Sequence, residues 1–160
     1  MLLTKIISGA QTGVDRAALD FAIAKEINHG GFVPRGRLAE DGAVPAKYQV
    51  KELSSKDYPT RTRKNVLSSD GTLIITGSAA NAKSRGTQLT IKTAKALNKP
   101  FLLVNTDDCD PSIVLAWLND NKITCLNVAG PRESNNPGIA TKTFALLEKV
   151  ISPCGNHAKA

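Results

Sequence analysis

Ile6-Ile7-Ser8-Gly9-Ala10-Gln11-Thr12-Gly13-Val14-Asp15-Arg16-Ala17-Ala18-Leu19-Asp20 joins a short apolar run, a polar glycine turn and an apolar-periodic segment. Ile6-Ile7 reads as a buried strand that ends at Gly9. Thr12-Gly13-Val14-Asp15 fits a capping-box variant, with Thr12 as N-cap and Asp15 in the first turn. The helix is expected to run to about Asn28, with Leu19, Ile23 and Ile27 on one stripe and Gly30 beyond its end. Strand, glycine turn, helix is the opening unit of an α/β fold.

The same alternation continues downstream. Residues 31–34 suggest a short strand inside an irregular stretch over 30–58, followed by a short helix at 60–68 after Pro59. Residues 72–76 (Thr-Leu-Ile-Ile-Thr) form the clearest buried strand, and 77–85 read as a loop. A helix at 86–97, a strand at 101–104, a helix at 111–119 opening on Pro111, a strand at 123–128 and a last helix at 139–151 complete the pattern. The expectation is one α/β domain over 1–151, a Rossmann-like three-layer sandwich with a mostly parallel sheet, and a frayed tail at 152–160.

Composition narrows the function classes. The chain has 160 residues with 41% hydrophobic and 22% charged, the proportions of a globular protein. Lys+Arg number 21 against 14 Asp+Glu, a formal charge of +7 that favours an anionic partner. Aromatics are 4%, a poor supply for a base-stacking surface, so nucleic acid is an unfavoured partner. No apolar run approaches the ~20 residues of a membrane span. The N-terminus lacks a signal peptide's apolar stretch and cleavage site. Cys109, Cys125 and Cys154 include no C-x-x-C pair, so neither a disulfide framework nor a metal site is indicated, and the expected compartment is the cytoplasm.

The arginines are distributed unevenly. Arg16, Arg35, Arg37, Arg61, Arg63, Arg85 and Arg132 all fall in glycine-, proline- or threonine-rich connections or near a helix start. Arginine's planar fork suits phosphate and carboxylate, whereas the lysines are spread along helix surfaces and tails. Ligands of parallel α/β sheets bind beyond the carboxyl ends of the strands. The loops expected there are 8–16, 77–87 and 129–134, and the first two end at helix N-termini, where free N–H groups favour anions. Gly9, Gly13 and Gly86 would admit phosphate oxygens to the backbone. No P-loop, dinucleotide fingerprint or nucleophile elbow is present.

Several side chains are open to more than one reading. Arg61 and Asn65 share a helix face, which could meet a ligand or solvent. Glu40-Asp41-Gly42 could be an acid/base pair, a ribose-binding carboxylate or, by default, a turn whose acids pair with Arg35 and Arg37. His29 is expected in a structural role, Asp70 as a turn former and Trp117 in the core.

Five blocks in order along the chain resemble the "putative molybdenum cofactor carrier" family, the circularly permuted YpsA-like branch of the SLOG nucleotide-binding superfamily. They are Ser8-Gly9-Ala10-Gln11-Thr12-Gly13-Val14-Asp15-Arg16, then His29-Gly30-Gly31-Phe32-Val33-Pro34-Arg35-Gly36-Arg37 with Ala39-Glu40-Asp41-Gly42. Arg61-Thr62, Asn65-Val66 and Ser69-Asp70-Gly71-Thr72 form the third, and Gly86-Thr87 with Thr90 the fourth. The fifth is Asn127-Val128-Ala129-Gly130-Pro131-Arg132-Glu133-Ser134 with Pro137-Gly138-Ile139.

The resemblance implies a binding or carrier protein for a phosphorylated, nucleotide-like small molecule, with molybdenum cofactor or a nucleotide as bound ligand. It also implies a homo-oligomer (dimer or tetramer). The implied ligand residues are Gly9, Gln11, Thr12, Gly13, Asp15, Arg16, Arg35, Arg37, Glu40, Asp41, Arg61, Asn65, Ser84, Gly86, Thr87, Thr90, Gly130, Pro131, Arg132, Glu133 and Ser134. The first- and fourth-block loops would form the phosphate cradle.

A related branch, the phosphoribohydrolases, carries P-G-G-x-G-T-x-x-E and uses the final glutamate in N-glycosidic cleavage. Thr90 stands at that position here, and a hydroxyl cannot replace a carboxylate as general acid/base near neutral pH. A nucleotide-processing hydrolase or transferase is therefore the alternative, with Glu40, Asp41 or Glu133 as substitute carboxylates.

Overall fold

The computed structural model describes residues 2–151, so the expected tail at 152–160 lies outside the described residues. The strands are β1 (Lys5–Ile7), β2 (Asn28–Gly30), β3 (Phe32–Val33), β4 (Leu38–Ala39), β5 (Gly42–Ala43), β6 (Lys51–Glu52), β7 (Gly71–Thr76), β8 (Phe101–Asn105) and β9 (Cys125–Ala129). The helices are α1 (Val14–Ala24), α2 (Tyr58–Leu67), α3 (Ala79–Ala82), α4 (Arg85–Ala96), α5 (Pro111–Asp120) and α6 (Ile139–Val150), with a 3-10 turn at Glu133–Asn135. A five-stranded sheet runs in the order β2-β1-β9-β7-β8, and every pairing in it is parallel. Helices flank this sheet in a Rossmann-like three-layer α/β sandwich.

β7 is buried at every residue, as a central parallel strand covered on both faces must be. Alternation divides the layers. Ile6, Leu73, Ile75, Leu126 and Val128 join Val14, Ala18 and Phe21 of α1, Val114 and Leu118 of α5, and Leu146, Leu147 and Val150 of α6 in the main core. The alternate positions include Thr72 and Asn127, buried and bonded to each other at 3.2 Å. The second face is therefore more polar, and α2 packs on α4 there.

Three readings of the opening unit change. Gly13, not Thr12, is the N-cap of α1, with φ 84. The Thr12 hydroxyl instead accepts the Glu133 N–H at 3.2 Å. The helix stops at Ala24 because Glu26 turns left-handed (φ 57) and the Ile27 N–H closes back on the Ala22 carbonyl at 2.8 Å. The buried face is Val14, Ala17, Ala18, Phe21 and Ala22 beside Leu19, while Ile23 is 40% exposed. Small alanines let α1 lie close on α6, a role hydrophobic counting overlooks.

The irregular stretch contains more order than its sequence shows. β2 forms an edge of the main sheet, β3 pairs with β6, and β4–β5 make a hairpin whose tip is Glu40-Asp41. Ala10, Leu19, Val33, Val44 and Tyr48 form a satellite core beneath it. His29 lies in β2, where its Nε2 accepts the Gln49 N–H at 3.1 Å. The segment read as a loop at 77–85 contains α3, capped by the Ser78 side chain. Asp70 Oδ2 accepts the Thr124 N–H at 3.0 Å and the Cys125 N–H at 2.9 Å, tying β7 to β9.

Candidate functional site

A cleft of about 440 Å³ opens at the carboxyl ends of β1, β9 and β7. From there β1 leads outward to β2 and β7 outward to β8, while β9 returns between them, so the crevice lies at the topological reversal. The walls are Gly9, Gln11 and Asp15 after β1, Arg61 and Asn65 on α2, Ser84, Gly86, Thr87 and Thr90 on the first turns of α4, and Gly130, Pro131 and Arg132 after β9.

The two helix N-termini differ. Ser84 caps α4, its Oγ accepting the Thr87 N–H at 3.2 Å, and the N–H groups of Arg85 and Gly86 have no intrahelical carbonyl to meet. A Cβ built on Gly86 meets nothing within 4 Å, so the space before this turn is open. At α1 the first N–H, of Val14, already donates to the Pro131 carbonyl at 3.2 Å. A Cβ on Gly13 would lie 2.4 Å from that same oxygen, so backbone seals this end. Of the two turns expected to share a cradle, α4 is the one left open.

Three arginines, Arg61, Arg85 and Arg132, and one carboxylate, Asp15, line the cleft. Asp15 is 7% exposed, and its Oδ1 has no hydrogen-bond partner among the described residues. Burial pushes its carboxyl up from 3.8 to about 6, against the pull of the Arg61 guanidinium and of the Gln11, Gly130 and Gly9 backbone. The Asn65 amide is held by backbone: Oδ1 accepts the Phe32 N–H at 2.8 Å and Nδ2 donates to the Phe32 carbonyl at 3.1 Å. Thr90 Oγ1 donates to the Gly86 carbonyl at 3.0 Å within α4.

Thr12, Gly13, Arg16, Glu40, Glu133 and Ser134 line a different groove. Their charged side chains are taken up by bonds within the fold. Glu40 accepts the Ser134 hydroxyl at 2.5 Å, the Ser134 N–H at 3.2 Å and the Thr12 hydroxyl. These bonds, led by Ser134, hold the Glu40 carboxyl below its usual range. Glu133 caps α6, accepting the Gly138 N–H at 2.6 Å and the Ala140 N–H at 3.1 Å. Arg16 grips Asp41 at 2.6 and 3.1 Å and lowers its carboxyl.

The default pairing of Glu40 and Asp41 with Arg35 and Arg37 is therefore replaced. Arg37 donates to the Val44, Pro45, Tyr48 and Val50 carbonyls at 2.9–3.3 Å, and Arg35 is exposed away from the cleft. None of Glu40, Asp41 and Glu133, the carboxylates considered as substitutes at the Thr90 position, lines the cleft.

The model of the circularly permutated YpsA SLOG family matches residues 6–151. The chain belongs to this family. The chain is also similar to a crystal structure from Syntrophus aciditrophicus SB described as "Putative molybdenum carrier protein". That likeness has a TM-score of 0.88 and 46% identity, and covers 94% of this chain and 96% of that one. No curated protein matches the chain. The matched span runs from β1 to the end of α6, so every wall of the cleft belongs to the SLOG region.

This SLOG cleft also contains residues that no local pattern marks. Tyr58 stands at the start of α2 with the Arg61 guanidinium 5.2 Å from its ring centroid. Asn81 lies on α3, and its Oδ1 accepts the Gly77 N–H at 3.1 Å and the Asn136 amide at 2.5 Å. The one available sequence signal was Ser78, an N-cap residue three positions before Asn81. Among the described residues, no group of three His, Cys, Asp or Glu side chains could hold a metal ion, and no helix is long and apolar enough to cross a membrane.

Proposed function

We propose that this chain binds a phosphorylated, nucleotide-like small molecule in the cleft and acts as its carrier, with molybdenum cofactor as a candidate cargo. The observation that carries this reading is the open first turn of α4, which begins at Arg85, in one cleft with Arg61, Arg132 and a single carboxylate, Asp15. An exposed helix N-terminus contributes only about 0.3–1 kcal/mol toward an anion. Charge-assisted hydrogen bonds add roughly 1.5–3 kcal/mol each, so Arg61, Arg85 and Arg132 supply most of the attraction. The volume of about 440 Å³ is of small-molecule size. The description of the Syntrophus protein supports the cargo class.

Thermal unfolding with a panel of nucleotides and pterin phosphates tests the proposal. A true ligand at a hundred times its Kd adds about 2.7 kcal/mol. Arg132→Glu and Gly86→Val should abolish that gain, and a melting curve unmoved by every compound would refute the reading. Native mass spectrometry of freshly purified protein would report retained cargo and subunit number together. We expect a dimer or tetramer in the cytoplasm, a reducing compartment that suits the free thiols Cys109 and Cys125.

A further inference from the structure

We propose that Asp15 reads the part of the ligand away from its phosphate, accepting a hydrogen bond from an O–H or N–H while the first turn of α4 holds the anion. The inference rests on the cleft being a ligand site. Asp15 is nine-tenths buried on the cleft wall, and its Oδ1 is unpartnered among the described residues. Buried carboxylate oxygens almost always find donors, because an unpaired one forfeits its hydration. The other tied acids of this fold satisfy theirs internally: Asp70 with Thr124 and Cys125, Asp41 with Arg16, Glu133 with the start of α6.

Arg61 does not complete Asp15. Its Nη1 donates to the Gly9 carbonyl at 3.0 Å, and no ion pair joins the two side chains among the described residues. Gly9 leaves room for the Arg61 guanidinium beside the carboxylate, since a Cβ there would lie 2.1 Å from Arg61 Nη1 and 3.0 Å from Asp15 Oδ2. The partner's charge is also constrained. A cation would meet Arg61, Arg85 and Arg132 in the same cleft, and a phosphate would be repelled by the carboxylate. A neutral donor satisfies both conditions. Asp15 thereby orients the ligand, with the phosphate toward α4 and the donor-bearing sugar or ring toward the loop after β1.

The test is calorimetric titration of the full chain and of Asp15→Asn and Asp15→Ala with guanosine 5′-monophosphate, its 2′,3′-dideoxy analogue, ribose 5-phosphate and pyrophosphate. Both substitutions should weaken the nucleotide at least tenfold and leave pyrophosphate within about twofold. Parallel weakening of ribose 5-phosphate, with the dideoxy analogue insensitive to the substitutions, identifies a sugar hydroxyl as donor. Weakening confined to the nucleotides, the dideoxy analogue included, identifies a ring N–H. Unchanged nucleotide affinity in both variants, or an equal loss for pyrophosphate, would overturn the role of Asp15. Failure of wild-type protein to bind any of the four or any pterin phosphate of the thermal panel would instead overturn the reading of the cleft and this inference with it.

Discussion

Arg61 Nη1 donates to the Gly9 carbonyl at 3.0 Å, bridging a sequence separation of 52 and fastening α2 to the loop after β1. A Cβ on Gly9 would fall 2.1 Å from that nitrogen and 2.8 Å from Cζ. The bare backbone at residue 9 is what lets the guanidinium lie against the loop. The same guanidinium lies 5.2 Å from the centroid of the Tyr58 ring.

Gly9→Ala should therefore disturb binding more than folding. The atoms in the way are the end of a flexible side chain, so the fold can yield by moving Arg61. We expect a loss of about 1 kcal/mol in urea unfolding with an unchanged slope. Nucleotide affinity should fall at least tenfold. An equal affinity by calorimetry would show that Arg61 does not contact ligand.

Asp15 supplies a pH dependence of opposite sign to the usual acid. Its carboxyl titrates at about 6 in the fold against 3.8 for the ordinary group, so the native state holds the proton more tightly. The resulting stabilisation is complete below pH 3.8 and is lost as pH rises through about 6. The gap corresponds to on the order of 3 kcal/mol. Asp15→Asn, which stays neutral, should match wild type near pH 4 and exceed it at pH 8. Comparing the two proteins cancels Glu40, Asp41, Asp70 and Asp110, whose lowered carboxyls act in the reverse direction. A variant less stable than wild type at pH 8 contradicts this account.

Arg37 and Arg132 should separate stability from binding. Arg37→Ala strips a donor from four backbone carbonyls and should cost about 2–3 kcal/mol in denaturant unfolding, with ligand affinity preserved. Arg132→Ala should change stability by no more than about 0.5 kcal/mol and weaken a nucleotide at least tenfold. The reverse ranking would remove Arg132 from the ligand site.

Glu133→Ala should behave as a lost helix cap. Two N–H groups at the start of α6, those of Gly138 and Ala140, lose their acceptor. The expected penalty is roughly 1–2 kcal/mol, read from the urea midpoint, with nucleotide affinity within twofold. A selective loss of affinity would return Glu133 to the ligand site.

Local patterns carried most of the architecture. β7 and α4 to α6 lie within a few residues of their expected positions, because buried runs, proline starts and cap residues act over a few neighbours. The departures come where a distant group decides. Thr12 is drawn from capping α1 to bridging Glu133 and Glu40, and β2 becomes a strand because β1 is available to pair with it. Neither partner is visible within a helix turn of its residue.

The amino-acid sequence by itself determined a parallel α/β sandwich and the polar glycine loops at its strand ends, since periodicity and turn chemistry are properties of near neighbours. It also pointed to arginines gathered in connections or near helix starts. Only the tertiary structure decided which of them face a cleft. A guanidinium turns to whichever acceptors the fold brings within about 3 Å. For Arg16 that is Asp41, for Arg37 four carbonyls, and for Arg61 the edge of an open cleft beside Asp15.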